Sequence, residues 1–99
     1  MAVKTVAHVG VCELTLRLFG IESLKAKRGI ARSLIARIHN RFNVSVSEVH
    51  FLDSKELLGI GLACVSNSRP VIDSLFAQVV RFMEEDRRFE IESYSTTFV

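Results

Sequence analysis

Residues 44–65 read VSVSEVHFLDSKELLGIGLACV, and this stretch contains two β-strand patterns in direct succession. Residues 44–53 are rich in β-branched and aromatic side chains with partial alternation, which predicts a strand. The polar residues 54–56 fit a short hairpin turn. Residues 57–65 are almost continuously apolar, which is typical of a central strand. The stretch therefore predicts a β-hairpin with one buried arm.

The segments on either side of this hairpin each predict a helix and a strand. Residues 23–41 carry apolar side chains at three- and four-residue steps, with Ser23 as the N-cap of an amphipathic helix. Before them, residues 8–18 alternate between apolar and polar side chains, which indicates a half-buried strand. After the hairpin, a second helix is predicted from about residue 70 to 86, and residues 89–98 form a last strand.

This order, β-α-β-β-α-β, predicts an α+β fold of the ferredoxin-like type. In that fold an antiparallel four-stranded sheet carries two helices on one face, as a two-layer sandwich, with the first and third strands central. Residues 1–99 are expected to form a single domain of this kind.

One face of the predicted sheet is left without helices. It is expected to carry Val9, Val11, Glu13, Thr15 and Arg17. Exposed apolar area on such a face would be unusual for a monomer, so Val9, Val11 and Thr15 are candidates for self-association as a homodimer without nucleic acid. On the third strand, the two-residue spacing of Gly59 and Gly61 predicts a close neighbour over both glycines.

The composition excludes several classes of protein. With 48% hydrophobic and 24% charged residues, the 99-residue chain can bury a core without disulfides or a structural metal. No apolar run approaches the roughly 18 residues of a membrane helix, and the first ten residues lack the apolar core of a signal peptide. The expected location is the cytoplasm.

The net charge of +2 conceals an uneven distribution. Between Glu22 and Glu48 there is no acidic residue, whereas six of the thirteen basic residues lie there. That segment carries +6 against −4 for the rest of the chain. The predicted RNA-binding residues are Lys25, Lys27, Arg28, Arg32, Arg37 and Arg41.

The stability of the predicted helix does not by itself explain where its basic residues lie. Lys25, Arg28 and Arg32 share one ridge of the predicted helix, and the other three flank it. Lys25 and Lys27 lie in the first turn, where the helix dipole disfavours cations. Such a face can bind the phosphates of structured RNA. The alternatives are a merely solvated face, or pairing with the acidic parts of a partner.

The cysteines and histidines, which could serve in catalysis or metal binding, are scattered along the chain. Cys12 and Cys64 fit reduced core positions, and the three histidines have no metal-ligand spacing. Cys12 or Cys64 could act as a nucleophile with His50 and Asp53, but nothing in the sequence places these residues together. We therefore predict no enzymatic activity, cofactor or metal. The third strand has no aromatic residue, so base stacking on the sheet is not expected.

Three motifs give the chain a family resemblance. They are SLKAKR at 23–28, RFNVSVSEV at 41–49 and GIGLACVSN at 59–67, together with Ser33, Leu34 and Arg37. As a set they resemble the YlxP-like family of small bacterial proteins of unknown function. The resemblance implies a ferredoxin-like fold, a bacterial source and no assigned catalytic residue. Genes of that family tend to lie among those for translation initiation and ribosome maturation, which implies ribosomal RNA or a ribosomal protein as a partner.

Overall fold

A computed structural model describes residues 6–99 and places six elements along the chain. They are β1 (His8–Leu18), α1 (Leu24–Arg41), β2 (Ser45–His50), β3 (Leu57–Ser66), α2 (Arg69–Glu84) and β4 (Phe89–Phe98). The strands form one antiparallel sheet in the order β2-β3-β1-β4, so β1 and β3 are central as predicted. With both helices on one face, the ferredoxin-like α+β fold is confirmed.

The core lies between the sheet and the two helices. Every second residue of β1 is buried from Cys12 to Leu18, which follows from the alternation of side chains along a strand. The helices contribute their apolar stripes, and their buried apolar residues are Ala31, Leu34 and Ile38 on α1 and Ile72, Phe76, Val79, Val80 and Met83 on α2. Neither helix in residues 6–99 is long and apolar enough to cross a membrane.

Both helices begin at a serine cap. The Ser23 hydroxyl oxygen accepts a hydrogen bond from the Ala26 N–H at 3.0 Å, as predicted, and Ser68 accepts one from Val71 at 3.4 Å. These bonds satisfy backbone N–H groups that the first turn of a helix leaves unpaired. Pro70 follows in the first turn of α2, where its missing N–H costs nothing.

The second strand is shorter than predicted. It ends at His50 rather than at residue 53, because its register on β3 shifts between Glu48 and His50 and the chain then turns away. Phe51 adopts a left-handed backbone conformation with φ of 59°. This conformation is uncommon outside glycine, so the sequence pattern alone could not place the turn there.

The predicted close approach to the two glycines of β3 is confirmed. A Cβ atom at Gly59 would lie 2.6 Å from the Cβ of His50 and 2.9 Å from the His50 carbonyl oxygen. At Gly61 it would meet a side-chain methyl of Val49 at 2.9 Å. Glycine at these two positions lets the irregular end of β2 pack directly on β3.

Candidate functional site

Three predicted cations form a free row on the outside of α1. Lys25, Arg28 and Arg32 are all exposed, and their three- and four-residue spacing places them on one side of the helix. Within residues 6–99, no carboxylate lies at ion-pair distance from any of the three. The helix itself contains no acidic residue. We call these three residues the outer basic row.

Two further predicted cations lie on the other side of α1, facing α2. The Cζ atom of Arg37 lies 5.0 Å from the ring centroid of Phe82, and that of Arg41 lies 5.1 Å from the same centroid. Arg41 also lies 5.8 Å from the ring of Phe42, which packs edge-on against Phe82 at 5.6 Å. Cation–π attraction holds both guanidinium groups over these rings. We call Arg37 and Arg41 the inner arginine pair.

The charge of Arg37 has a partial counterion. Asp86 accepts hydrogen bonds from the Arg88 guanidinium, the shortest at 2.6 Å, and one Arg37 nitrogen lies 3.5 Å from the same carboxylate. The hydrogen bonds from Arg88 hold the pKa of Asp86 below its ordinary value, although partial burial acts in the opposite direction. Asp86 therefore stays ionised and offsets part of the positive charge beside Arg37.

Arg81 was not among the predicted residues, and it belongs to this region. It is exposed in the last turn of α2 and lines a groove between the helices with Arg41 and Phe82. Glu85 lines the same groove, so this side of α1 mixes both signs of charge. In the sequence, only its position next to Phe82 pointed to Arg81. That position has a meaning only when the packing of α1 on α2 is known.

Lys27 does not lie on the surface, and the prediction that it flanks the exposed ridge is wrong. Only 1% of its surface is exposed. Its ammonium group donates hydrogen bonds to the carbonyl oxygens of Phe51 and Ser54, the latter at 2.6 Å, and it lies 3.4 Å from Oε2 of Glu48. These bonds explain why a lysine occupies position 27 in the first turn, where the helix dipole disfavours a cation. Lys25 is then the only first-turn cation whose unfavourable position still points to a binding role.

A sequence signal for this burial was present. Lys27 continues the spacing of the buried residues Ala31, Leu34 and Ile38 toward the N-terminus of α1, at steps of four, three and four residues. This spacing places Lys27 on the apolar stripe of the helix. The predicted set of six cations therefore divides into the outer basic row, the inner arginine pair and one buried lysine.

The sheet face opposite the helices has the predicted composition. Val9 is 37% exposed, and Val65, its direct partner on β3, is 67% exposed. Val11 and Thr15 lie on the same face and are half-buried. An ion pair between Arg17 and Glu92, with 2.9 Å between the charged atoms, lies toward the other end of β1. Exposed apolar area on this face therefore lies at Val9 and Val65 and also at Val49 on β2, which is 48% exposed.

The structure does not assemble the cysteine–histidine arrangement. Cys12 is buried and points toward the helices, whereas His50 lines the open face of the sheet near Glu13 and Thr15. Burial raises the pKa of the Cys12 thiol, and it raises that of Cys64 as well, so both favour the less nucleophilic protonated form. Residues 6–99 contain no group of three or more metal-ligating side chains placed to hold an ion.

Comparison with known proteins gives two matches. The family model described as "Protein of unknown function (DUF503)" matches residues 9–96. The chain is also similar to a protein of Bacillus subtilis (strain 168) described as "Uncharacterized protein YlxP". The two are 32% identical over 76 residues, which cover 77% of this chain and 83% of the relative. The predicted resemblance is therefore confirmed over most of the chain.

Proposed function

The chain belongs to the DUF503 family, and we propose that it is a non-enzymatic, cytoplasmic accessory protein that binds structured RNA through the exposed basic face of α1. The observation that carries this proposal is the outer basic row. Its three cations have no acidic partner among the described residues, on a helix without a single carboxylate. The proposed contact residues are Lys25, Arg28, Arg32, Arg37 and Arg41.

Phosphate is the chemical group that such a face suits best. Each phosphate neutralised by a lysine or arginine releases counterions, so binding gains free energy and becomes sensitive to salt. The face offers few groups to read base edges, and recognition is therefore of shape and backbone rather than of sequence. Ribosomal RNA is the proposed target, in ribosome maturation or translation, because the gene context implied by the family resemblance favours it.

Contact through the helix is also favoured because the sheet is a poor alternative. Single-stranded RNA is often bound by aromatic side chains on the central strands of such a sheet. Here β3 has the sequence LLGIGLACVS, and the side chains of β1 on the open face are Val9, Val11, Glu13, Thr15 and Arg17. None of these residues offers an aromatic ring for a base to stack on.

Reversing two charges of the outer basic row is the direct test. We expect Arg28→Glu combined with Arg32→Glu to lower the affinity for ribosomal RNA at least about tenfold. The slope of log affinity against log salt should become shallower by about 2, because two phosphate contacts are lost. Fluorescence anisotropy with labelled ribosomal RNA fragments over a salt series measures both quantities.

A matched control distinguishes the loss of this site from a general loss of positive charge. Lys55→Glu with Arg87→Glu changes the net charge equally at two exposed residues outside α1. We expect this variant to keep most of its affinity and its salt slope. Equal losses in both double variants, or no loss in the first, would contradict the proposal.

A second candidate function is self-association through the open sheet face, favoured by the exposure of the paired residues Val9 and Val65. If it is correct, light scattering gives a dimer for the wild-type protein and a monomer for Val11→Lys, because a lysine at Val11 would bury a charge in the interface. Ala77→Lys, on the exposed side of α2, should remain dimeric. A wild-type protein that is monomeric at all practical concentrations excludes this candidate.

A further inference from the structure

Gly29 lies in the middle of the exposed face of α1, and the packing of the protein does not require a glycine there. A Cβ atom built at this position meets no atom within 4 Å. Glycine inside a helix is unfavourable relative to alanine, because it loses more conformational freedom on folding. Glycine at this exposed position therefore makes the helix less stable than alanine would, although the surroundings have room for a side chain.

Cations lie beside Gly29 on one side of α1 and, two to three turns further along the helix, on the other side. On one side is the outer basic row, with Arg28 and Arg32 nearest in sequence. On the other side is the inner arginine pair, held over the ring of Phe82. Ala26 and Ser33, three residues before Gly29 and four residues after it, leave no long side chain between the two groups of cations. A ligand that approaches the helix backbone at Gly29 therefore meets the outer basic row beside it and, about 12–18 Å further along α1, the inner arginine pair on the other flank.

We infer that this face binds double-helical RNA, with the duplex closest to α1 at Gly29 and one phosphate strand facing each group of cations. The inference rests on the proposed RNA-binding function and specifies its ligand. A-form RNA has a wide, shallow minor groove bordered by two phosphate strands, with 2′-hydroxyl groups displayed in it. A helix about 10–12 Å across, with cations on both flanks, is complementary to that shape and charge.

The aromatic residues near the face favour a duplex over a single strand. Single-stranded RNA gains much of its affinity by stacking unpaired bases on exposed rings. Phe42 and Phe82 are the nearest aromatic residues, and the guanidinium groups of Arg37 and Arg41 lie over them. The exposed imidazole of His39 is the one smaller ring on α1 that these guanidinium groups do not cover, whereas the phosphates of a duplex need no ring.

The test is a neutral, bulky side chain at the point of closest approach. Gly29→Leu leaves every charge in place and replaces glycine with a strong helix former. We expect its Tm to rise by about 2–8 °C, and its affinity for an RNA duplex of about 20 base pairs to fall about tenfold. Ala77→Leu on the exposed side of α2 is the matched control and should keep the wild-type affinity.

Three ligands of equal length distinguish the outcomes: duplex RNA, one strand of the same RNA, and duplex DNA of the same sequence. The inference requires duplex RNA to bind tightest, since only it combines paired phosphate strands with A-form geometry and 2′-hydroxyl groups. Equal affinity for the single strand or for duplex DNA would overturn it, and so would full affinity in Gly29→Leu. In those cases a loss of binding in the Arg28→Glu, Arg32→Glu variant still supports the proposed function, whereas a wild-type protein that binds none of these RNAs refutes both.

Discussion

Replacing Lys27 with methionine is expected to lower the free energy of unfolding by about 3–5 kcal/mol, as is typical when one partner of a buried ion pair is removed. Methionine fits the apolar stripe of α1, but it cannot donate to the carbonyl oxygens of Phe51 and Ser54. It also leaves the Glu48 carboxylate without its cation, and Oε2 of that carboxylate has no hydrogen-bond partner even in the native protein. Urea unfolding followed by circular dichroism measures the change.

Lys25→Met is the matched control, because it makes the same chemical change two residues away at an exposed position. We expect its effect to stay within about 0.5 kcal/mol, as is usual for surface substitutions. Glu48→Gln completes a double-mutant cycle, and a coupling of about 1–3 kcal/mol with Lys27→Met is expected, since the two charges depend on each other. If Lys27→Met were no more destabilising than Lys25→Met, the buried ammonium would have no structural role.

The environment of Lys27 explains why this residue matters to the fold. The Phe51 carbonyl accepts hydrogen bonds both from the Lys27 ammonium and from the Ser54 N–H, directly after the left-handed turn at Phe51. The Ser54 hydroxyl oxygen in turn accepts from the N–H groups of Glu56 and Leu57, where β3 begins. One lysine of α1 therefore connects the helix to the loop that joins β2 and β3.

The parts of the fold that depend on local patterns could be predicted from the sequence. The alternation in residues 8–18 identified β1 and its open face, and Ser23 marked the beginning of α1. These signals are local, because a strand or a helix cap is determined by side chains a few residues apart. The order of the elements then limited the topology to few choices, of which the ferredoxin-like arrangement is the one observed.

The features that the sequence did not reveal depend on residues distant along the chain. Lys27 is separated by 24 residues from Phe51, and Arg17 by 75 residues from Glu92. The spacing along α1 places Lys27 on the apolar stripe of the helix, but its bonding partners, and whether each other cation is free or stacked on a ring, depend on the packing of the neighbouring elements. For this reason the sequence predicted one basic face, and the structure divides it into three environments.

A second large effect is expected at Gly59, where replacement by alanine should destabilise the protein by about 3 kcal/mol, the upper end of the usual range for overpacking. The added Cβ would lie 2.6 Å from the Cβ of His50, 2.9 Å from its carbonyl oxygen and 3.1 Å from its carbonyl carbon. These atoms belong to or adjoin the backbone of β2, so no change of side-chain rotamer can relieve the overlap. The end of β2 would have to move away from β3.

Gly61→Ala tests this explanation on the same strand and the same face. There the atoms nearest to the added Cβ would be the two methyl groups of Val49, at 2.9 and 3.2 Å, on an exposed side chain that can shift. We expect a loss below about 1 kcal/mol, with part of the cost offset by the lower entropy of alanine in the unfolded chain. Urea unfolding of both variants distinguishes the two positions, and hydrogen exchange should show faster opening of β2 in Gly59→Ala alone. Equal losses at the two glycines would show that the close approach of the His50 backbone is not what requires glycine at position 59.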